Sequence, residues 1–364
     1  MPQYSNYHIS FVTSTLNSGG SERVISLLAN ALQERGHSVE IININRHEVF
    51  YPINAEVKLT FVEEGCGSTF IGKKLLWLRH HIQRTHPDVV LPFMTDVYSV
   101  TLLSLVGTMI PTISCERYDP HESNLLFKIL RFVFLPLTTH FVVQTNYIKS
   151  YFPKRIQRKT SIIYNPVTDK VFEESPNGIK KQNHIVSLGR LAPQKNFTMM
   201  IHAFSQVAKD FPEWRLNIYG EGPLRDELQK EIDGLGLKNQ ISLCGRTSNA
   251  IDVLRQSKVF CMSSNGEGMS NALIEAICIG MPVLTTAVSG AEELVEDGVT
   301  GFVTPLRDEE RFAKALKTLL ESDKLREDMG IRNLESRDRF KLSNVVTLWE
   351  ETIRQVIENT MSKK

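Results

Sequence analysis

The 364-residue chain is expected to fold as two doubly wound α/β domains. Three observations carry this expectation. Short β-branched apolar runs alternate with helical patterns, which is the signature of βαβ units and parallel sheets. The alternation stops at residues 165–183, a polar stretch with Pro and Gly, and then restarts. The length also suits two cores of ordinary size.

The elements follow in order. Residues 8–13 form a first strand. Residues 22–35 form an amphipathic helix with Val24, Leu27, Leu28 and Leu32 on one face, closed by Gly36-His37. Strands are expected at 39–43, 57–62, 89–93, 112–115, 140–144 and 161–164. After the pause come a strand at 184–188, a helix at 197–209, a strand at 215–219, a helix at 223–234 and strands at 241–243 and 258–262. A helix at 271–279, a strand at 282–285 and helices at 308–322 and 344–360 complete the pattern. The pause divides the chain into a first domain, 1–165, and a second, 166–343. Ligands of such sheets bind beyond the carboxyl ends of the strands, and with two facing domains the expected site is the cleft between them.

The composition is that of a soluble globular protein, 41% hydrophobic and 23% charged, with a formal net charge of +1. Bulk charge gives no support to nucleic-acid binding. Residues 1–165 hold 16 Lys/Arg against 12 Asp/Glu, and the remainder 26 against 29. The basic front half fits either chance or an anionic surface. The five cysteines show no metal-ligand spacing, and their odd number suits reduced thiols in a cytoplasmic protein. Residues 1–8 are polar and no secretory signal is visible. Residues 97–115 carry no charge over 19 positions, the minimum for a membrane span. Their Ser, Thr, Gly107 and Pro content reads better as a buried helix, a break and a buried strand.

Several loops could carry chemistry. Gly19-Gly20 follows the first strand and opens a helix, where bare backbone and unpaired N–H groups suit an anion. The same residues read equally as a tight turn. In Gly189-Arg190-Leu191-Ala192-Pro193-Gln194-Lys195-Asn196, Arg190 leaves a strand and Lys195 precedes a helix. Two such cations neutralise a diphosphate, Arg through a bidentate fork; the alternative is two solvated loop charges. Tyr219-Gly220-Glu221-Gly222-Pro223 and Gly245-Arg246 are strand-end turns suited to a flat ring such as a nucleobase, or to nothing beyond the turn. The stretch 263–276 is the most informative. Glu267 lies in a Gly-rich loop, Gly268, Met269, Ser270 and Asn271 lead into a helix, and Glu275 sits about one turn inside it. Carboxylates there accept hydrogen bonds from sugar or ribose hydroxyls. Helix-dipole complementation accounts for one acidic residue near a helix start, but not for Glu267 as well.

Taken together, the Gly-Gly loop, G-R-L-x-x-Q-K-N, G-x-G-P-L and E-G-M-S-N-A-L-I-E-A resemble the retaining glycosyltransferases of family 4, of GT-B fold, over about residues 8–360. The resemblance implies specific roles. Gly19 and Gly20 border the donor diphosphate and acceptor. Arg190 and Lys195 bind the diphosphate, and Glu267 contacts the transferred sugar. Gly268, Met269, Ser270 and Asn271 offer backbone groups to sugar and phosphate, Glu275 holds the ribose, and Gly245 with Arg246 meets the base. The helix 344–364 crosses back onto the first domain. Many family members place a His in the first domain; here the matching strand exit reads Glu116-Arg117-Tyr118-Asp119-Pro120, as in members acting on N-acetylhexosamines and lipid-linked acceptors. Glu116, Arg117 and Asp119 are therefore acceptor-side candidates, and His121 is read as a loop residue.

The expected reaction is a retaining transfer of a hexose or N-acetylhexosamine, such as GalNAc, from a UDP-sugar to a glycan carried on a polyprenyl diphosphate. UDP-sugar is a substrate, and no cofactor is expected. No Asp-x-Asp pair ends a strand, so no metal is expected either. Residues 125–137 (LLFKILRFVFLPL) are apolar nearly all round, with Lys128 and Arg131 one turn apart. They suit a buried helix, or an interfacial helix on the inner membrane surface aided by Lys73, Lys74, Arg79, Arg84 and the basic run 154–159; the interface is favoured. A UDP-sugar epimerase and a non-catalytic nucleotide-sugar-binding protein of the same fold are the competing functions.

Overall fold

The computed structural model describes residues 6–173 and 181–362. The chain divides into two compact units, Met1–Pro166 with Leu342–Lys364, and Val167–Lys341.

The first unit holds strands β1 (His8–Thr13), β2 (Ser38–Asn43), β3 (Lys58–Phe61), β4 (Val89–Pro92), β5 (Ile113–Cys115), β6 (His140–Val143) and β7 (Thr160–Ile162). Their orders are β3-β2-β1-β4 and β5-β6-β7, all pairings parallel, and bridges from Val90 to Thr112 and Phe93 to Cys115 join the two sets. The helices are α1 (Gly20–Glu34), α2 (Val62–Cys66), α3 (Ile71–Thr85), α4 (Thr95–Ser104), α5 (Leu125–Phe134), α6 (Asn146–Tyr151) and α7 (Lys154–Gln157). The uncharged window 97–115 is thus α4, a turn with Gly107 at φ +77°, and β5. Among the described residues no helix is long and apolar enough to cross a membrane.

The second unit runs through β8 (Gln182–Leu188), α8 (Phe197–Val207), β9 (Arg215–Tyr219), α9 (Arg225–Gly234), β10 (Ile241–Gly245), α10 (Ala250–Gln256) and β11 (Ser257–Met262). It continues with α11 (Asn271–Cys278), β12 (Val283–Thr286), α12 (Ala291–Leu294), β13 (Gly301–Thr304), α13 (Glu309–Glu321) and α14 (Asp323–Glu335). The parallel order β10-β9-β8-β11-β12-β13 starts in the middle and winds both ways. The reversal between β8 and β11 is the topological switch point, the usual ligand position in such a sheet.

The chain then returns to the first unit as α15 (Leu342–Met361). Val345, Trp349, Ile353 and Ile357 pack into one core with Phe11, Val24, Leu28 and Leu32. Each such fully buried side chain contributes about 1.5–3 kcal/mol. Glu350 is buried against α1: it pairs with Arg35 and accepts from His37 Nε2 at 3.1 Å. The Tyr7 N–H donates to His37 Nδ1, so one ring tautomer serves both contacts.

The structure adds elements that the sequence pattern lacks, β13 and the short helices α2, α6, α7, α10 and α12 among them, and three further departures have a physical reason. Helix α3 is absent from that pattern because its buried face includes Lys74 and His81, which interrupt the apolar period. Helix α14 likewise buries Arg326, Gly330 and Asn333. There a Cβ on Gly330 would meet the Gly280 carbonyl at 2.4 Å, so only glycine allows the approach. The polar stretch expected as a linker is in part packed: Asn165, Val167 and Val171 are buried, and Val167 bridges to Lys341. Residues 174–180 of that stretch lie outside the described residues.

Buried His81 is held through Glu40 of β2. Glu40 Oε1 accepts from His81 Nε2 at 3.0 Å, Thr60 Oγ1 at 2.6 Å and Lys58 Nζ at 2.8 Å. Burial alone would push this carboxyl up; the hydrogen bonds from His81, Lys58 and Thr60 outweigh it and hold it at about 2. A depressed folded-state value stabilises the fold above the unfolded value near 4.5, and that stability is lost as pH falls toward 2. The melting temperature should therefore drop between pH 5 and pH 3, about the range where such carboxylates protonate. Glu40→Gln should flatten that part of the profile; an unchanged slope would count against the assignment.

Candidate donor site of the second unit

The loops after β8 and β11 flank the switch point and are tied together. Lys195 Nζ pairs with Glu267 Oε1 at 2.5 Å, and Ser264 Oγ donates to the same oxygen at 2.8 Å. Gln194 Nε2 donates to the Gly266 carbonyl, and the Asn265 N–H donates back to the Gln194 carbonyl at 2.8 Å. Ser263 Oγ bonds the carbonyls of Lys195 and Asn196, each at 2.9 Å. Thr286 Oγ1 of β12 holds the Ser264 carbonyl at 2.6 Å. Two residues 72 apart in sequence are thus brought into contact. The motif reading singled out Lys195 and Glu267 but not Gln194, Ser263, Ser264 or Thr286, which fix them. The polar Ser-Ser-Asn run at a buried strand exit was the available signal.

Arg190 leaves the end of β8 and is exposed, so its fork is open to solvent. The Lys195 stem lies over Gly189, where a Cβ would meet it at 3.1 Å. Ser270 caps α11, its Oγ accepting from the Leu273 N–H at 3.3 Å. Gly268, Met269 and Ser270 are buried at that helix start, Asn271 is half-buried, and Glu275 is buried one turn in. The helix N-terminus therefore adjoins the Lys195–Glu267 pair, and its N–H groups add positive potential where a phosphate would sit.

The glycine-rich turns also pack against neighbouring backbone. A Cβ on Gly220, at φ +149°, would stand 1.8 Å from the Gly189 carbonyl, and one on Gly222 would stand 2.3 Å from that of Leu191. These glycines admit the neighbouring Gly189–Leu191 backbone, and the Leu191 N–H bonds the Glu221 carbonyl at 3.0 Å. Gly245 has φ +76° and accepts from the Gly220 N–H at 2.8 Å, while Arg246 beside it is exposed.

In the first unit, Gly19 and Gly20 open α1 after β1, and a carboxylate of the chain itself lies over Gly19. Glu22 turns back, accepting from Ser21 Oγ at 2.7 Å and Thr15 Oγ1 at 3.3 Å, and a Cβ on Gly19 would meet its carboxylate at 2.1 Å. Glu116 is buried beyond β5, where its Oε2 accepts from Arg131 Nε at 2.8 Å and Thr95 Oγ1 at 2.7 Å. Arg117 is buried next to it and donates to Asn165 Oδ1 at 2.9 Å. Asp119 Oδ1 accepts from the His121 N–H and contacts His121 Nδ1, both at 2.9 Å. The His121 ring lies tilted against Tyr147 and edge-on to Tyr151.

Two parallel-sheet Rossmann-like units, the second with a cation–carboxylate pair at its switch point, have the architecture of GT-B proteins. The model of "Glycosyltransferase Family 4" matches residues 18–170, and that of "Glycosyl transferases group 1" matches residues 169–335. A Campylobacter jejuni α-1,4-N-acetyl-D-galactosaminyltransferase acting on a GalNAc-containing, undecaprenyl-diphosphate-linked diNAcBac glycan is 30% identical over 96% of this chain and 98% of its own length. The Erwinia amylovora amylovoran biosynthesis glycosyltransferase AmsD is 26% identical over 93% and 96%. Among solved structures, Anabaena HepE with UDP superposes with a TM-score of 0.81, 17% identity and coverage of 96% of this chain and all of that one. The chain belongs to glycosyltransferase family 4.

Proposed function

We propose that the chain is a retaining, metal-independent glycosyltransferase. It moves a hexose or N-acetylhexosamine, such as GalNAc, from a UDP-sugar to a polyprenyl-diphosphate-linked glycan in cell-surface polysaccharide or oligosaccharide synthesis. The observation that carries the reading is the Lys195–Glu267 contact at the switch point, beside the start of α11. The relative acting on a lipid-linked GalNAc glycan supports the choice of acceptor and sugar.

In this reading Arg190 and Lys195 hold the diphosphate, and the N–H groups at 268–271 add to the field. Charge developing on the leaving diphosphate meets preorganised donors, the task a divalent ion performs elsewhere. The acceptor hydroxyl attacks the anomeric carbon from the face the phosphate leaves. Its oxygen forms the new bond, the bond to phosphate breaks, and the departing phosphate takes the proton. Glu267 positions the sugar and does not attack it, Glu275 holds the ribose, and Gly245 with Arg246 lies at the base. Mass spectrometry of the purified chain with UDP-sugars and lipid-linked acceptors tests this. A mass increase of one sugar on the acceptor is expected. Epimerised donor with unmodified acceptor, or nucleotide binding without turnover, would replace the reading.

The first unit supports contact with an anionic membrane surface, with the charges partly redistributed from those expected. Arg131 is buried on Glu116, Lys74 is buried against Asn45, Arg79 binds the carbonyls of Ser104 and Val106, and Lys159 binds three carbonyls. These are structural cations. The α5 face bearing Leu125, Leu126, Ile129, Phe132 and Val133 is exposed, Phe132 by 81%. Lys128, Lys154, Arg155 and Arg158 are exposed, and residues 123–159 contain no Asp or Glu. Apolar insertion with basic flanks fits the inner, anionic leaflet. The full chain should float with phosphatidylglycerol-containing vesicles, and Phe132→Asp should reduce flotation severalfold. Equal flotation with purely zwitterionic vesicles, or none at all, removes the idea.

A further inference from the structure

The first unit contains a buried guanidinium that forms no ion pair among the described residues. It is that of Arg117, which is 8% exposed. Its Nη1 donates to Asn165 Oδ1 at 2.9 Å, an oxygen that also accepts from Gln144 Nε2 at 2.7 Å. Its Nε and Nη2 have no partner. Those two atoms form the side-on edge of the fork, the edge that meets a carboxylate or phosphate through two parallel hydrogen bonds. The guanidinium carbon lies 5.0 Å from the Phe93 ring centroid and 5.8 Å from that of Trp349. Such stacking offsets only about 1–2 kcal/mol, against several for an uncompensated buried charge. Trp349 Nε1, a donor only, is also without a partner. Burial pulls the Arg117 pKa down and outweighs the opposing pull of nearby Glu116.

Glu116 attracts the Arg117 charge from a distance, but neither neighbouring acid forms an ion pair with it. Glu116 Oε2 is committed to Arg131, and Asp119 Oδ1 to His121. The position matters as well. Arg117, Gln144 and Asn165 follow β5, β6 and β7, so they gather at the carboxyl ends of adjacent parallel strands. That is the ligand-binding end of such a sheet.

We propose that Arg117, braced by Asn165 and Gln144, is an oxyanion-binding residue whose free Nε/Nη2 edge takes a phosphate group of a substrate. This deepens the proposed glycosyl transfer and rests on it for the identity of the substrate. Two sources share the chemistry: the diphosphate of the donor and that of the acceptor lipid.

The test titrates inorganic pyrophosphate and UDP into the full chain, and measures KM for donor and acceptor. It compares wild type, Lys195→Ala, Arg117→Gln and Arg117→Lys. A charge-assisted bidentate contact predicts a loss of about tenfold or more in one of these constants for both Arg117 variants. Lysine should not restore it, because it lacks the fork. Arg117→Lys keeps the charge and so serves where Arg117→Gln fails to fold. Weakened UDP binding assigns the donor diphosphate; unchanged UDP binding with a raised acceptor KM assigns the acceptor. If both Arg117 variants, or the folded one alone, keep all four constants, the edge is satisfied by water and the proposal is overturned; full rescue by lysine overturns it too. Pyrophosphate binding that depends on Arg117 in a chain without transfer activity would retain the anion site and remove only the donor reading.

Discussion

Lys195→Ala is expected to lower kcat about 10²–10³-fold, the usual consequence of removing one preorganised electrostatic contact from a developing charge. Three features make this residue the one to test. Its ammonium meets Glu267 at 2.5 Å, its stem rests on Gly189, and its backbone carbonyl is held by Ser263. The charge is therefore held in place before any ligand arrives. Glu267→Ala should also abolish measurable transfer. The double variant should lose far less than the product of the two single effects, because the residues act as a unit. Circular dichroism of each variant is the control and should match wild type, so that lost turnover is not lost fold. Unchanged turnover in either single variant would sink the assignment.

The largest expected effect on stability lies in the first unit. Arg131→Met should destabilise it by about 3–5 kcal/mol, because Glu116 would be left charged and buried. Both side chains are nearly inaccessible, at 4% and 0%. Burial lowers the Arg131 pKa, but Glu116 outweighs it and raises the value, so the guanidinium stays charged. The melting temperature of this unit should fall by roughly 6–20 °C. Arg131→Met combined with Glu116→Leu should recover much of the loss, as apolar replacement of a buried pair often does. Differential scanning calorimetry of the full chain resolves this. A single variant as stable as wild type would show that the carboxyl is satisfied by Thr95 and Tyr98 without the cation.

These two cases show what was legible in sequence. Period-2 and period-3.6 patterns located β1, α1, α8 and β11, because their buried faces are mainly apolar, with only small Ser and Thr among them. They failed for α3 and α14, whose buried faces carry Lys, His, Arg and Asn held by tertiary partners. Arg131 shows the same limit at a functional scale. One turn from Lys128 on an apolar helix, it looks like a second interfacial cation; only the fold places Glu116 beneath it. Conversely, the motif spacing of Arg190, Lys195, Glu267 and Glu275 directed attention to two loops that the structure brings together. Nothing local to either loop reveals the Ser263 and Thr286 contacts that brace them, since those depend on strand adjacency.

The return of α15 to the first unit has a consequence for synthesis. Trp349 and Ile353 complete the core around Phe11 and Leu28, yet 175 residues, Val167–Lys341, separate α15 from the rest of that unit. The second unit is continuous and can close as soon as it emerges from the ribosome. The first must wait with an open hydrophobic face while the second is translated, on the order of ten to forty seconds at ordinary elongation rates. The half of the protein made first is thus the half that finishes folding last.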